Sequence, residues 1–225
     1  MKRFFILLLF LSITNFTPGI LAQPSATLYL TSAFPVGEFK DYVPNTGFGA
    51  STEFFFFTPS QRTPYGMGIS FSYVSYGVHL LPDPYNQDVL FSFNRANNFA
   101  SAHILFQITP YKGSVRPYIE TLFGGSYIYS STEITNSYGG YSFLWIDDWA
   151  WSYGAGAGLK LFIHGDPFFN SGSVFIDLKV RYLFGTPAEY LNRNSVYFDG
   201  DVINYSTFES KTDMLTASIG LYFYF

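Results

Sequence analysis

No cysteine occurs among the 225 residues, which excludes disulfides, thiolate metal sites and a lipidated N-terminal cysteine, and leaves the compartment undecided. Charge is scarce. Only 12% of residues are Asp, Glu, Lys or Arg, about half the usual share of a soluble domain. With 12 basic residues against 16 acidic ones, no basic patch exists to neutralise phosphates, so nucleic acid is excluded as a partner. Beyond residue 22 no apolar run reaches the roughly 20 residues of a transmembrane helix, and helical periodicity is weak.

What is abundant is aromatic: 27 Phe and 19 Tyr bring the aromatic share to 22%. Such a composition suits a chain with much greasy or interfacial surface. The N-terminus reads as an export signal over residues 1–22, with Lys2 and Arg3 as its basic start, Phe4 to Ile13 as its apolar centre and Ala22 as the small residue before the cut. Asn15, Thr17 and Pro18 interrupt the run, which is too short to span a bilayer. Cleavage there removes two bases and lowers the formal charge from its value of −4. Residues 23–225 are then expected to form one domain.

In that remainder the dominant period is two. Leu215, Ala217, Ile219, Leu221, Phe223 and Phe225 alternate with Thr216, Ser218, Gly220, Tyr222 and Tyr224. The stretch from Trp151 to Ile163 alternates large apolar residues and alanine with serine, lysine and three glycines, and Val174 to Phe184 sets Val, Ile, Leu, Tyr and Phe against Asp177, Lys179 and Arg181. Eight strands are predicted, at 25–34, 46–58, 64–76, 98–109, 115–129, 150–164, 173–186 and 212–225. The connections alternate in length. Those at 35–45, 77–97, 130–149 and 187–211 are long; those at 59–63, 110–114 and 165–172 are short and carry turn residues such as Lys112-Gly113-Ser114 and Gly165-Asp166-Pro167. An even strand count with short turns at one end and long loops at the other is the pattern of an outer-membrane barrel. The expected fold class is therefore all-β, an eight-stranded antiparallel up-and-down transmembrane β-barrel, whose closed sheet satisfies every backbone amide inside lipid. A soluble ligand-binding barrel would face its apolar side inward, whereas here the charges share the glycine and serine face.

Parity places Glu53, His103, Gln107, Glu120, Lys160, Asp177, Lys179 and Arg181 inside. Three acids there balance three bases, with Lys160 set opposite Asp177 across the sixth and seventh strands. Balance is expected because an unpaired charge in a dry lumen is costly. Eight strands leave room for little beyond side chains, so the set is expected to plug and stiffen the barrel. A narrow channel for small solutes or ions is the alternative.

Other chemistry is thin. Ser101, His103 and Glu120 supply the residue types of a nucleophile, base and orienting acid, and with them a lipid-modifying enzyme is conceivable; no nucleophile elbow or oxyanion motif accompanies them. No catalytic residue is assigned and no cofactor is expected. His79 and His164 lack metal-ligand company, and Asp199-Gly200-Asp201 falls short of a calcium ligand set. Gly154-Ala155-Gly156-Ala157-Gly158 sits inside an alternating strand and opens no helix, unlike a nucleotide-binding loop. Tyr127, Tyr129, Trp145, Trp149, Trp151 and Tyr153 gather near one end of the fifth and sixth strands as an interfacial girdle. Trp145 and Trp149, expected to precede the sixth strand, are also candidates for recognition.

Ala33 to Asp41 after the first strand, Arg116-Pro117-Tyr118-Ile119-Glu120 opening the fifth, Gly154 to Phe162, and the ending Gly220 to Phe225 together resemble the small eight-stranded, porin-like outer-membrane barrels (OmpA/OmpX-like) of Bacteroidetes-type Gram-negative bacteria. The resemblance spans the mature chain. It implies outer-membrane lipid as surroundings and the barrel-assembly machinery as a partner during insertion, read through Tyr222, Phe223 and Phe225. It implies no catalytic residues, and without a following peptidoglycan-binding domain no cell-wall tether is expected. The expected role is that of a non-enzymatic monomer whose loops meet extracellular material or envelope components.

Overall fold

A computed structural model of the protein describes residues 24–61, 63–76, 92–135, 141–168, 170–199 and 202–225, with side chains described over 24–61, 63–76, 97–131, 145–168, 170–190 and 206–225. The expected export signal, His79, Gly200 and Asp201 lie outside the described residues, as does the side chain of Asp199.

The elements in chain order are β1 (Ser25–Pro35), α1 (Glu38–Tyr42), β2 (Gly47–Phe57), β3 (Tyr65–Tyr76), β4 (Ser92–Ile108), β5 (Val115–Thr135), β6 (Tyr141–His164), β7 (Val174–Gly185), β8 (Pro187–Asp199), β9 (Val202–Lys211) and β10 (Met214–Tyr224). Eight of the strands close into a barrel in the order β1-β10-β7-β6-β5-β4-β3-β2, and β8 and β9 form a separate two-stranded sheet. Every barrel pairing is antiparallel. The predicted fold class is the observed one: all-β, closed and eight-stranded.

Alternation decides the two surfaces. Leu28 and Leu30 of β1 are 65% and 71% exposed, while Thr27, Tyr29 and Thr31 between and beside them are buried. The same alternation runs through β2, β3, β5, β7 and β10. The barrel is apolar outside and polar within. An 11-residue strand tilted as in such barrels stands about 28 Å tall, enough to cross an apolar belt of roughly 25 Å. Pro24 and Phe225 meet at one rim, where the Phe225 amide donates to the Pro24 carbonyl at 3.0 Å. The short turns β2–β3, β4–β5 and β6–β7 lie at this near rim, with register shifts at Phe55/Phe57 and Phe162/His164 beside two of them, a position where bulges end ladders.

The far rim departs from expectation in three places. The connection at 35–45 contains α1, whose Phe39 is fully buried. The stretches 187–199 and 202–211, expected within a long loop, pair as β8 and β9, tied down by Thr186 N to Trp151 O at 2.9 Å and Glu189 N to Asp148 Oδ2 at 2.8 Å. The connection expected at 130–149 is mostly strand: β5 and β6 stay paired from Val115↔Leu161 out to Thr135↔Tyr141. Trp145 and Trp149 therefore sit within β6 rather than before it.

Candidate functional site

The lumen is filled in tiers, and strand parity puts each side chain there. At the near rim Arg116 is fully buried. Its Nε donates to Gly113 O at 3.0 Å, Nη2 to Pro167 O and Asn170 Oδ1 at 2.7 Å each, and Nη1 to the Tyr224 hydroxyl at 3.3 Å. The guanidinium also lies 4.4 Å from the Phe175 ring centroid, a favourable desolvated cation–π contact.

Above it, Lys160 Nζ stands 3.7 Å from the Tyr222 ring, with Tyr118 and Phe55 at 5.1 and 5.5 Å. It donates to Gln107 Oε1 at 2.7 Å, and Gln107 Nε2 donates to Glu120 Oε2 at 3.3 Å. Lys160 is the register partner of Asp177, but among the described residues no ion pair joins them. A long lysine stem runs along the lumen, so its charge lands in the aromatic box instead. Asp177 accepts the Tyr118 hydroxyl at 2.6 Å. Room for that ring comes from Gly158, the cross-strand partner of Tyr118, where a Cβ would meet the ring at 2.3 Å. The Tyr29 hydroxyl lies 2.9 Å from Asp177 Oδ2 and 3.1 Å from Glu53 Oε2, and its single proton serves one of them at a time.

The central tier is ionic. Glu53 Oε1 accepts from both Lys179 Nζ and Arg181 Nη2, and Arg181 Nε donates to Glu120 Oε1 at 2.5 Å. Lys179 Nζ also sits 3.6 Å from the Tyr29 ring centroid. Next comes a tier of hydroxyls: Thr31 with Ser51 and Ser218, both at 2.9 Å, and Ser101 with Ser126 at 2.8 Å. The cavity among them holds about 20 Å³, space for about one water. At the far rim Phe39 closes the bore with Tyr76, Phe99 and Tyr190, ring centroids 5.2–5.7 Å away.

The expected lumen residues Glu53, His103, Glu120, Lys160, Asp177, Lys179 and Arg181 are all buried. Arg116 adds a fourth buried base to the three expected, against three buried acids among the described residues. Its parity with Glu120, four residues on, is the sequence signal that places it inside. Tyr29 and Tyr118 were missed as well, since tyrosine on an inward face reads first as packing.

The triad types are not brought together as a triad. Ser101 bonds Ser126, His103 Nε2 lies 3.0 Å from Ser152 Oγ, and Glu120 holds Arg181 and Gln107. Gly154 to Gly158 lie within β6. No group of three or more metal-ligating side chains occurs among the described residues.

The aromatics project outward from β5 and β6. Trp145, Trp149, Trp151 and Tyr153 are each about half exposed. Trp145 stacks on Tyr129 at 4.6 Å, Trp151 on Phe123 at 5.7 Å and Tyr153 on Phe184 at 5.5 Å. The Tyr127 hydroxyl and Trp145 Nε1 donate to the two oxygens of Asp147, at 2.7 and 3.1 Å. Of the C-terminal aromatics, Phe225 faces outward and Phe223 is partly exposed, while Tyr222 is turned inward over Lys160.

No family model matches the chain, and no curated protein matches it. Among solved structures it is similar to Ail, the attachment invasion locus protein of Yersinia pestis, solved with the heparin analogue sucrose octasulfate: 15% identity, 90% of this chain and 97% of that one, TM-score 0.41. It is also similar to Neisserial surface protein A (14%, 90% and 96%, TM-score 0.39) and to the N-terminal β-barrel domain of Pseudomonas aeruginosa OprF (14%, 89% and 98%, TM-score 0.38). Likenesses of this size add nothing to the closed barrel that the chain's own registers establish.

Proposed function

We propose that this chain is a non-enzymatic, non-conducting barrel of a Gram-negative outer membrane, of the Bacteroidetes type that its motifs resemble, acting as a monomeric anchor for strands that rise above the bilayer. The observation that carries this is the pairing of an apolar exterior with a bore blocked at three heights: the Arg116 cage, the Glu53–Lys179–Arg181–Glu120 tier and the Phe39 plug. A water-filled pore needs a continuous polar path, and eight strands enclose a bore that side chains alone can fill. Outer-membrane lipid surrounds the belt in this reading, the assembly machinery reads Phe223 and Phe225 with Tyr222, and residues 1–22 direct export and are cleaved off after Ala22.

Planar-bilayer recording of the refolded chain tests it. Folded protein, shown by heat-modifiable migration, is expected to give no conductance above background. Discrete openings altered by Lys179→Met or Arg181→Met would replace this reading with a charged narrow channel.

A further inference from the structure

Continuing from that membrane reading, we infer that the outward face of the β5–β6 extension is a saccharide-binding strip, and that its ligand is the sugar portion of outer-leaflet glycolipid rather than the acyl chain or the phosphates. Height is the first reason. A tilted strand climbs about 2.5 Å per residue. Trp151 and Tyr153 are level with the end of the apolar belt, stacked on Phe123 and Phe184. Trp145, six residues further out on the same strand, stands about 15 Å higher, beyond acyl chains and at the depth of headgroup sugars. Trp149 and the Tyr127–Tyr129 pair, its rings 5.8 Å apart, bridge the interval, so the strip continues the lipid-facing surface without a break.

Chemistry is the second reason. A pyranose has a C–H face that packs on an indole and an edge of hydroxyls that seek acceptors. The stacked Trp145–Tyr129 pair supplies a platform 45% exposed at Trp145. Asp147 lies between Trp145 and Tyr127 and accepts one bond on each oxygen, while a carboxylate has about four acceptor sites. The remaining sites point the preference to sugar hydroxyls. The adjacent Asp148 holds the amides of Trp149 and Glu189, and two neighbouring carboxylates repel phosphate or sulfate. Gly125 is the third feature: a Cβ there would lie 1.9 Å from Trp149 Cζ2, so the indole packs directly against the glycine.

All three tryptophans of the chain lie in this strip, so selectively excited tryptophan fluorescence reports on it. The full chain is refolded into phosphatidylcholine vesicles containing a core-oligosaccharide-bearing lipopolysaccharide, the same glycolipid stripped of its core sugars, or no glycolipid plus soluble core oligosaccharide. Core-bearing glycolipid is expected to cut acrylamide quenching at least twofold, and Trp145→Ala and Asp147→Asn to weaken its apparent binding at least fivefold, with Trp145→Tyr recovering most of the loss. Equal protection by stripped glycolipid would overturn the proposal in favour of plain interfacial anchoring. Equal protection by soluble oligosaccharide would overturn the glycolipid assignment. A variant retaining only Trp151, quenched by brominated acyl chains, checks the membrane reading separately; failure there and failure of sugar dependence are distinct results.

Discussion

Replacing Glu53 by Gln keeps the side chain's shape and removes one charge from the centre of the bore. In the native barrel Glu53 Oε1 is shared by Lys179 and Arg181, with all three side chains at most 8% exposed. Removing one partner of a buried ion pair costs about 3–5 kcal/mol, because the remaining charge stays buried and unmatched. Arg181 is partly protected, since it keeps Glu120 at 2.5 Å and Ser70 at 3.5 Å. Lys179 keeps the Tyr29 ring, a contact of about 2 kcal/mol when desolvated, and the longer-range attraction of Glu120 and Asp177. The net loss is therefore expected near the lower end, about 3 kcal/mol. With a urea slope of about 1–3 kcal/mol/M, equilibrium unfolding in vesicles should shift its midpoint down by roughly 1–3 M. Tryptophan fluorescence follows the transition. Adding Lys179→Met removes the stranded cation, and the double variant should recover about 2 kcal/mol. A loss below about 0.5 kcal/mol in Glu53→Gln, or strict additivity in the double variant, would refute the coupled ionic tier.

Phe39→Ala empties the far-rim plug, where the ring is fully buried; a loss of about 3–5 kcal/mol is expected, with faster amide exchange in α1 and β8–β9. The bilayer should stay silent, since the ionic tier still blocks the bore. Gly125→Val drives a side chain into Trp149, so near-ultraviolet circular dichroism should change while heat-modifiable migration persists. Tyr190, in the hairpin above the barrel, has its phenol pushed up to about 12, chiefly by burial and further by nearby Tyr42, Glu38 and Asp41. The unfolded phenol ionises near its ordinary value of about 10, so the docked hairpin is fully stable below that pH and loses stability as pH rises toward 12. Proteolysis of 187–211 against pH, with Tyr190→Phe as control, reads this; identical profiles would refute it.

The barrel was legible because a period of two is imposed by geometry: one face must meet apolar surroundings and the other the bore. Glu53, Lys179 and Arg181 followed directly from their parity. What parity cannot give is reach. Lys160 and Asp177 face each other in register, yet the lysine's flexible stem carries its charge to Gln107 and Tyr222, and the shorter aspartate is satisfied by tyrosines. The far rim was less legible for another reason. Above the belt no surroundings enforce alternation, so β5, β6, β8 and β9 continue as strands through sequence that lacks a clean period of two. Helix α1 is too short to show a period, and Phe39 declares its role only through the three rings it meets.

Arg116 explains why a fourth base is tolerated without a fourth acid. Buried charge must be met by hydrogen bonds or opposite charge, and the planar guanidinium is the cation best matched to several fixed acceptors at once. Here those acceptors are not scattered. Gly113 belongs to the β4–β5 turn, Pro167 and Asn170 to the β6–β7 turn, and Tyr224 to the last strand. One side chain thus fastens two turns to the strand that closes the barrel on β1. The central tier draws facing walls together through opposite charges, whereas Arg116 locks the rim where Pro24 and Phe225 meet. A bore fixed in this way at its base is suited to carrying rigid strands above it, because the β5–β6 ladder runs unbroken from Arg116↔Lys160 inside the barrel to Ser131↔Trp145 in the outer strip. Substituting Arg116 by Gln should therefore be felt first as faster amide exchange in residues 109–114 and 165–173, with the registers of the far strip unchanged.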